Sequence, residues 1–339
     1  MKLVLVIAMI NVIFGVTNTS NWMELLRDDI RLSEVVMPGS HDSGTYALTS
    51  RIQSEPLAGI FDRFVEIFCR SLQSIGVPIW NIITPWSTTQ TQTIFNQAML
   101  GIRYFDIRAG WNGTFWNTFH MEEGSPVSDV LFDIKRFVDL YTKEIIVIEI
   151  IHYQGEPPKY VHEQLETMIM KILGKYLYPC EFSIRVCVLP TLGLMRLKNK
   201  RIILGFTDYY NNVSPFNKNP YIWSQYLFIN TFANTDNLKE MMEYNHNAMM
   251  FYKKNKYRMF TNNLFKISWT LTPQIKTIAL GFFPKMPHSI FDITFPIIPY
   301  FEEWADKLNT PPANIIIFDY IPSYQIFPYI LKWNNLTIR

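Results

Sequence analysis

The sequence predicts an α/β protein, a distorted (β/α)8 barrel of the TIM type in a single domain. Short runs rich in Ile, Val and Phe alternate along the 339 residues with stretches of helical spacing, which indicates repeated strand and helix units. Several runs, such as 145–151, are almost continuously apolar, as in a parallel sheet covered on both faces. Glycine is scarce, at 14 residues, and no Gly-rich phosphate loop occurs, which disfavours the alternative of an open doubly wound sheet.

The strands and helices can be placed from these patterns. Six segments have the composition of strands: SEVVMPG at 33–39, IRYFDIRAG at 102–110, EIIVIEIIHY at 144–153, KRIILGF at 200–206, LFKISWTL at 264–271 and NIIIFDYI at 314–321. Helical spacing predicts helices around 56–75, 90–100, 127–141, 157–173, 235–254, 274–283 and 299–308. No internal repeat, low-complexity segment or linker divides the chain, so we expect one domain.

Chemistry in a barrel of this kind gathers where the strands end at their carboxyl termini. Polar side chains should therefore follow the apolar runs. They do so at His41, Asp42, Asp106, Arg108, Glu149, His152 and Asp319. We therefore expect a functional site at this end of the barrel.

Composition argues against a nucleic-acid partner. The 31 basic and 29 acidic residues leave a net charge of +2, and no RNA-binding, zinc-finger or basic-helix motif occurs. Hydrophobic residues make up 48% of the chain and aromatic residues 15%, which is enough to build a large core.

The amino-terminal segment 1–19 is typical of a secretory signal peptide. One lysine precedes an apolar run from Leu3 to Val16, which is too short to span a bilayer comfortably and is followed by small polar residues. A buried first helix or strand is the alternative. We expect a secreted or lumenal protein whose barrel occupies 20–339, without a transmembrane segment and without a carboxyl-terminal lipid-anchor signal.

Three cysteines, Cys69, Cys180 and Cys187, are present. They form no metal-ligand spacing with histidine, and the three cannot all pair within the chain. Cys180 and Cys187 could pair across a short loop.

Six blocks, in this order, resemble the catalytic X domain of phosphatidylinositol-specific phospholipase C, most closely its X-domain-only and secreted bacterial members. They are EVVMPGSHDSGTY at 34–46, WSTTQ at 86–90, QAMLGIRYFDIR at 97–108, FHMEEG at 119–124, SWTLTPQ at 268–274 and NIIIFDYI at 314–321. The resemblance extends from about residue 22 to the end of the chain.

The resemblance implies an enzyme that cleaves the glycerol–phosphate bond of an inositol phospholipid at the membrane interface. The inositol 2-hydroxyl is the internal nucleophile, and the products are diacylglycerol and a cyclic 1,2-phosphate. By the same resemblance, His41 is the general base, oriented by Asp319, and His120 is the general acid, assisted by Asp42. Histidine suits both roles because its ordinary pKa is close to neutrality.

Arg108 implies that the enzyme works without a metal or other cofactor. In the animal signalling enzymes of this family the matching residue is acidic and helps to hold calcium, whereas the bacterial enzymes carry arginine there. A guanidinium is always charged and can bind a phosphate with two parallel hydrogen bonds. We therefore expect calcium-independent catalysis.

The headgroup-binding residues differ from those of the bacterial enzymes. The segment 203–210 lacks their inositol-contacting arginine, and 144–153 lacks their lysine and glutamate pattern. Glu149 and Trp269 are candidates for substrate binding, although an aromatic residue such as Trp269 more often belongs to the core. The apolar segment 56–80 could be core or an amphipathic rim that enters the lipid interface.

Other interpretations remain open. Asp106 could pair with Arg103 or Arg108 instead of taking part in catalysis. The chain could also be a secreted, catalytically inactive barrel that binds lipid or glycan. A third possibility is a related metal-dependent phosphodiesterase that acts on glycerophosphodiesters or sphingomyelin, against which Arg108 argues.

Overall fold

The structure is a computed structural model. It describes residues 19–49, 51, 71, 74–76, 80–154, 159–180, 182–183, 186–206, 219–224, 227–229, 231–259, 262–281, 283–321 and 323–336. Nearly all of the predicted signal peptide lies outside the described residues, as do Cys69 and most of the segment 56–80.

The strands alternate with helices, as the sequence predicts. They are β1 (Met37–Ser40), β2 (Tyr104–Trp111), β3 (Trp116–His120), β4 (Glu122–Pro126), β5 (Ile146–Gln154), β6 (Phe182–Ser183), β7 (Val186–Cys187), β8 (Ile202–Phe206), β9 (Trp223–Ser224), β10 (Phe228–Ile229), β11 (Leu264–Trp269) and β12 (Ile315–Phe318). All six predicted strands are present, with ends that differ by a few residues.

The α-helices of the described residues lie between these strands or after them. They are α1 (Trp80–Ser87), α2 (Ile94–Met99), α3 (Val127–Leu140), α4 (Lys159–Leu173), α5 (Leu192–Leu197), α6 (Leu238–Met259), α7 (Ile275–Leu280), α8 (Ile290–Thr294), α9 (Ile298–Asp306) and α10 (Ser323–Trp333). The predicted helix at 90–100 is shortened because Thr93 caps α2, its hydroxyl accepting a hydrogen bond from the Asn96 amide.

Eight strands of the described part form one curled parallel sheet in the order β10–β11–β12–β1–β2–β5–β8–β9. The order follows the chain around the curve, and every neighbouring pair is parallel. Within the described residues no hydrogen-bonded pair joins β9 to β10, so the barrel is open along this line. This is the predicted distorted (β/α)8 barrel in a single α/β domain. The antiparallel strands β3 and β4 extend the sheet beyond β2.

Alternation along the strands separates two apolar layers. Phe105 and Ile107 of β2 pack outward against α3, whose residues Val130 and Ile134 are buried on one helical face. Tyr104 lies in the other layer, where its ring contacts Phe228 of β10 at a centroid distance of 5.8 Å. Since β2 and β10 are not neighbours in the sheet, this contact crosses the barrel interior.

A buried ion pair lies next to the amino ends of β2 and β5. The Arg103 side chain is fully buried, and its Nε donates to Glu144 at 2.8 Å. Its remaining donors reach the carbonyls of Ala98, Ile102 and Ser20, each at 2.8 Å. Arg103 thus pairs with Glu144, and its hydrogen bond to Ser20 connects the first described residues to the amino ends of β2 and β5.

Cys180 and Cys187 form a disulfide with a Cα–Cα distance of 5.2 Å, which is the pairing that the sequence allowed. Among the described residues, no helix combines the length and the apolar character needed to cross a bilayer.

Candidate active site

The backbone after β1 places His41 and Asp42 at the carboxyl end of the sheet. The His41 amide donates to the Phe318 carbonyl at 3.1 Å, which continues the pairing of β1 with β12. Asp42 then adopts the left-handed region, with φ of 40°, and this turn directs its carboxylate inward. Asp42 is 1% exposed.

Two side chains of the block at 86–90 stabilise this turn. The Thr89 hydroxyl lies 3.0 Å from the His41 carbonyl and 3.1 Å from the Asp42 carbonyl. The Gln90 amide donates to the carbonyls of His41, at 3.1 Å, and Phe318, at 3.0 Å. Neither residue was predicted to have a role, although both belong to the block at 86–90 that contributes to the family resemblance.

His41 lies between two carboxylates. Its Nδ1 is 2.8 Å from Asp319 Oδ1, and its Nε2 is 3.7 Å from Asp42 Oδ2. Because an ionised carboxylate only accepts hydrogen bonds, Nδ1 carries a proton and Nε2 is the nitrogen presented to the site. Asp319 is itself buried, and Thr294 donates to its other oxygen at 3.4 Å.

His120, the last residue of β3, approaches the same carboxylate oxygen as His41. Its Nε2 is 3.5 Å from Asp42 Oδ2, and its Nδ1 donates to the Ser87 carbonyl at 2.7 Å. A carbonyl oxygen cannot donate, so this contact also assigns a proton to Nδ1. Both histidines therefore present Nε2 to Asp42.

Arg108 completes the cluster, because its Nε forms an ion pair with Asp42 Oδ1. The structure thus brings together His41, Asp42, Arg108, His120 and Asp319, which come from four strands or strand ends. Both oxygens of the Asp42 carboxylate face cationic or imidazole groups.

The electrostatics favour a protonated His41. Burial by itself lowers the pKa of this imidazole, but the negative charges of Asp42 and Asp319 outweigh burial and raise its pKa to about 9, with Arg108 opposing them. At neutral pH in the free protein, His41 is therefore an imidazolium with a proton on each ring nitrogen. The two histidines differ in their second partner, a carboxylate for His41 and an uncharged carbonyl for His120.

Asp106 lies beneath Asp42. One of its oxygens is 3.5 Å from the Asp42 amide, and burial together with the Asp42 charge raises the pKa of Asp106 to about 6. His41, Asp42 and Asp106 each offer a ligand atom, and these atoms lie within 4.8 Å of one another. Arg108 already supplies a positive charge to Asp42 at this place.

The two substrate-binding candidates lie outside the cluster. Glu149 is buried lower in the barrel, where it pairs with Lys266 and accepts a hydrogen bond from Tyr104. Trp269 is fully buried and packs against Phe301 and Trp304, at centroid distances of 5.2 and 5.1 Å. It lies on the helix-facing side of β11, since the alternate residue Lys266 crosses the barrel interior to reach Glu149.

Comparisons with known proteins identify relatives along most of the chain. No protein-family model matches the chain. PI-PLC X domain-containing protein 3 of Mus musculus is 23% identical over 325 residues, covering 93% of each chain. PI-PLC X domain-containing protein 2 of Mus musculus is 25% identical over 330 residues, covering 94% of this chain and 88% of the relative. Variant-surface-glycoprotein phospholipase C of Trypanosoma cruzi is 24% identical over 312 residues, covering 86% and 79%.

Solved structures show the same fold. The phosphatidylinositol-specific phospholipase C of Listeria monocytogenes has a TM-score of 0.67 and 20% identity, with coverage of 95% of this chain and 100% of the other. A double mutant of the Staphylococcus aureus enzyme has a TM-score of 0.61 and 18% identity, with coverage of 95% and 99%. These comparisons confirm the resemblance to the phosphatidylinositol-specific phospholipase C X-domain family that the motifs indicated.

We predict that His41 in the free protein titrates at about 9, and that Asp319→Asn lowers this midpoint toward the ordinary value of 6.5. Because the pKa is higher in the folded protein than in the unfolded chain, the charged His41 stabilises the fold fully below about pH 6.5, and this contribution is lost as the pH rises through about 9. Histidine NMR titration of both proteins measures the midpoints. A wild-type midpoint near 6.5 would contradict this electrostatic description.

Proposed function

We propose that this chain is a phosphodiesterase of the phosphatidylinositol-specific phospholipase C type. Its substrate is an inositol phospholipid or the glycosylated form of one, and its products are diacylglycerol and an inositol 1,2-cyclic phosphate. The proposal rests chiefly on one observation: one oxygen of the buried Asp42 carboxylate is near the Nε2 atoms of both histidines, at 3.7 and 3.5 Å, and the other oxygen pairs with Arg108. Similarity in sequence and fold to phospholipases C supports the same reaction class.

The cluster can divide the proton transfers between its two histidines. The reactive form is the one in which His41 has lost the Nε2 proton that its raised pKa retains in the free protein. In this form the inositol 2-hydroxyl oxygen attacks phosphorus and gives its proton to His41 Nε2. The bond between phosphorus and the diacylglycerol oxygen then breaks, and that oxygen takes a proton from His120 Nε2. Asp319 stabilises the imidazolium that forms at His41, at 2.8 Å from Nδ1, and Asp42 stabilises protonated His120. An internal nucleophile also avoids the entropic cost of bringing in a second reactant.

Arg108 is proposed to bind the phosphate and to stabilise the charge that develops on its oxygens. Its Nε pairs with Asp42, which orients the guanidinium group at the site. This arrangement supports catalysis without a metal. Because His41, Asp42 and Asp106 offer ligand atoms that are close together, metal independence has to be tested directly by experiment.

An exposed aromatic surface beside the site supports a substrate held in a lipid interface. Phe291 stacks on Phe295 at a centroid distance of 5.0 Å and contacts Tyr320 edge-on at 5.0 Å. Phe291 and Phe295 are 42% and 49% exposed, and Tyr320 directly follows Asp319. Exposed aromatic rings beside a catalytic cluster can enter the headgroup region of a bilayer. The proposed location is secreted or lumenal, as the sequence of 1–19 suggests.

We predict that the purified protein releases inositol 1,2-cyclic phosphate from phosphatidylinositol vesicles in the presence of a calcium chelator, as followed by phosphorus NMR. His41→Ala and His120→Ala should each abolish turnover and keep the circular dichroism spectrum of the wild type, since each removes one required proton transfer. Turnover that appears only when calcium is added would contradict metal independence. Headgroup binding without any turnover would instead favour the catalytically inactive lipid- or glycan-binding barrel.

The aromatic surface gives a separate prediction. Changing both Phe291 and Phe295 to Ser should lower activity on vesicles about tenfold, because less apolar area can enter the interface. Activity on a short-chain phosphatidylinositol below its micelle concentration should stay at the wild-type value. Phe132→Ser, at a ring that is 55% exposed on α3, serves as the matched control. Equal losses on vesicles and on monomeric substrate would show that the two rings do not act through the interface.

A further inference from the structure

The carboxyl half of α1 is connected to the strands β3 and β4 by two hydrogen bonds. The Thr84 hydroxyl donates to the Glu122 carboxyl, at 2.7 Å to Oε1 and 3.0 Å to Oε2. The Ser87 carbonyl accepts from His120 Nδ1 at 2.7 Å. Thr84 and Ser87 are three residues apart in the helix, so they lie on the same face of α1.

Glu122 and His120, the partners of Thr84 and Ser87, are also close together. His120 ends β3, Glu122 begins β4, and the two are register partners across the turn. Met121, between them, has a φ of 58°, in the left-handed region. Partners across an antiparallel pair lie on one face, so the position of α1 against Glu122 also determines where the Ser87 carbonyl meets His120.

Nothing in the local sequence makes α1 rigid by itself. It has eight residues, and Pro85 within it lacks an amide proton for the helical hydrogen-bond pattern. Helices this short are unstable alone and depend on contacts with the rest of the protein. Ile83 and Trp86 supply apolar contacts, since both side chains are buried. Thr84 supplies a directional contact.

Glu122 is an unusual residue to find at this place. Its side chain is fully buried, and among the described residues the Thr84 hydroxyl is the one hydrogen-bond partner of its carboxyl. Burial raises the pKa of Glu122 to about 7, and the Thr84 hydrogen bond opposes the shift. A hydroxyl can donate to the ionised carboxylate and accept from the protonated carboxyl, so the pair can persist in both forms.

We propose that Thr84 and Glu122 are positioning residues for His120. Their hydrogen bond holds α1 where the Ser87 carbonyl keeps the proton of neutral His120 on Nδ1 and directs Nε2 toward Asp42. This inference rests on the proposed function insofar as it assigns Nε2 of His120 to proton transfer. The geometric part, the control of the tautomer, does not depend on turnover.

Thr84→Val tests the inference because valine keeps the size of threonine and removes the donor. The expected result is a mixture of His120 tautomers in nitrogen–proton NMR, where the wild type shows the Nδ1–H form alone. The kcat for phosphatidylinositol should fall about tenfold with KM unchanged, the scale of one lost hydrogen bond to a charged or catalytic group. The His41 signals should stay as in the wild type.

Further variants at positions 88 and 122 complete the test. Thr88→Val removes a neighbouring hydroxyl, which donates to the Thr84 carbonyl at 2.8 Å and not to the Glu122 carboxyl, so it should leave the His120 signals unchanged. Glu122→Gln retains an acceptor for Thr84 and should keep the wild-type tautomer, whereas Glu122→Met should reproduce the effect of Thr84→Val. If Thr84→Val fails to fold, the His120 tautomers of Glu122→Gln and Glu122→Met are compared instead.

Wild-type His120 signals in both Thr84→Val and Glu122→Met would overturn the inference. If the wild type shows no turnover on phosphatidylinositol but the tautomer changes as expected, the positioning role stands and the proposed function falls. If the wild type turns over phosphatidylinositol but the His120 tautomer does not change in the variants, the proposed function stands and the positioning role falls.

Discussion

The buried carboxylate of Asp42 is the constraint on which the site depends. Its two oxygens face three groups from different parts of the chain, namely His41, His120 and Arg108. A buried carboxylate is costly unless it is paired with positive charge or hydrogen-bond donors. The three groups stabilise the buried carboxylate, and their attraction to it holds them together at the end of the barrel.

The left-handed backbone of Asp42 is what makes the shared contact possible. The chain leaves β1 and turns at once, so that neighbouring side chains converge instead of pointing to opposite faces. Aspartate and asparagine tolerate this backbone region better than most residues. The Thr89 hydroxyl contacts the carbonyls of His41 and Asp42, one on each side of the Asp42 Cα, and these contacts hold the turn in place.

Much of this arrangement could be predicted from the sequence because it follows from strand periodicity and strand ends. Apolar runs identified β1, β2, β5, β8, β11 and β12, and the polar residues after them converge as parallel strands require. The strands β9 and β10 were not predicted because each has only two residues, which is too short for a periodic pattern of apolar residues.

The remaining features depend on contacts that a sequence does not display. Ser87 acts through its backbone carbonyl, so its residue type gives no signal of the contact. Lys266 reaches Glu149 across the barrel, between strands far apart in the chain. The side of β11 on which Trp269 lies follows only once Lys266 is known to face the barrel interior, because two strand residues three positions apart face opposite sides.

Turnover of phosphatidylinositol by Asp42→Asn is the most direct measure of the central claim. Asparagine has the same shape and accepts the same backbone conformation, but it removes the charge that the two histidines and Arg108 share. We predict that kcat falls about a thousandfold while the fold is retained, as expected when acid–base catalysis is lost. A variant with kcat within about tenfold of the wild type would contradict the role of this carboxylate as the shared partner of the proposed catalytic groups.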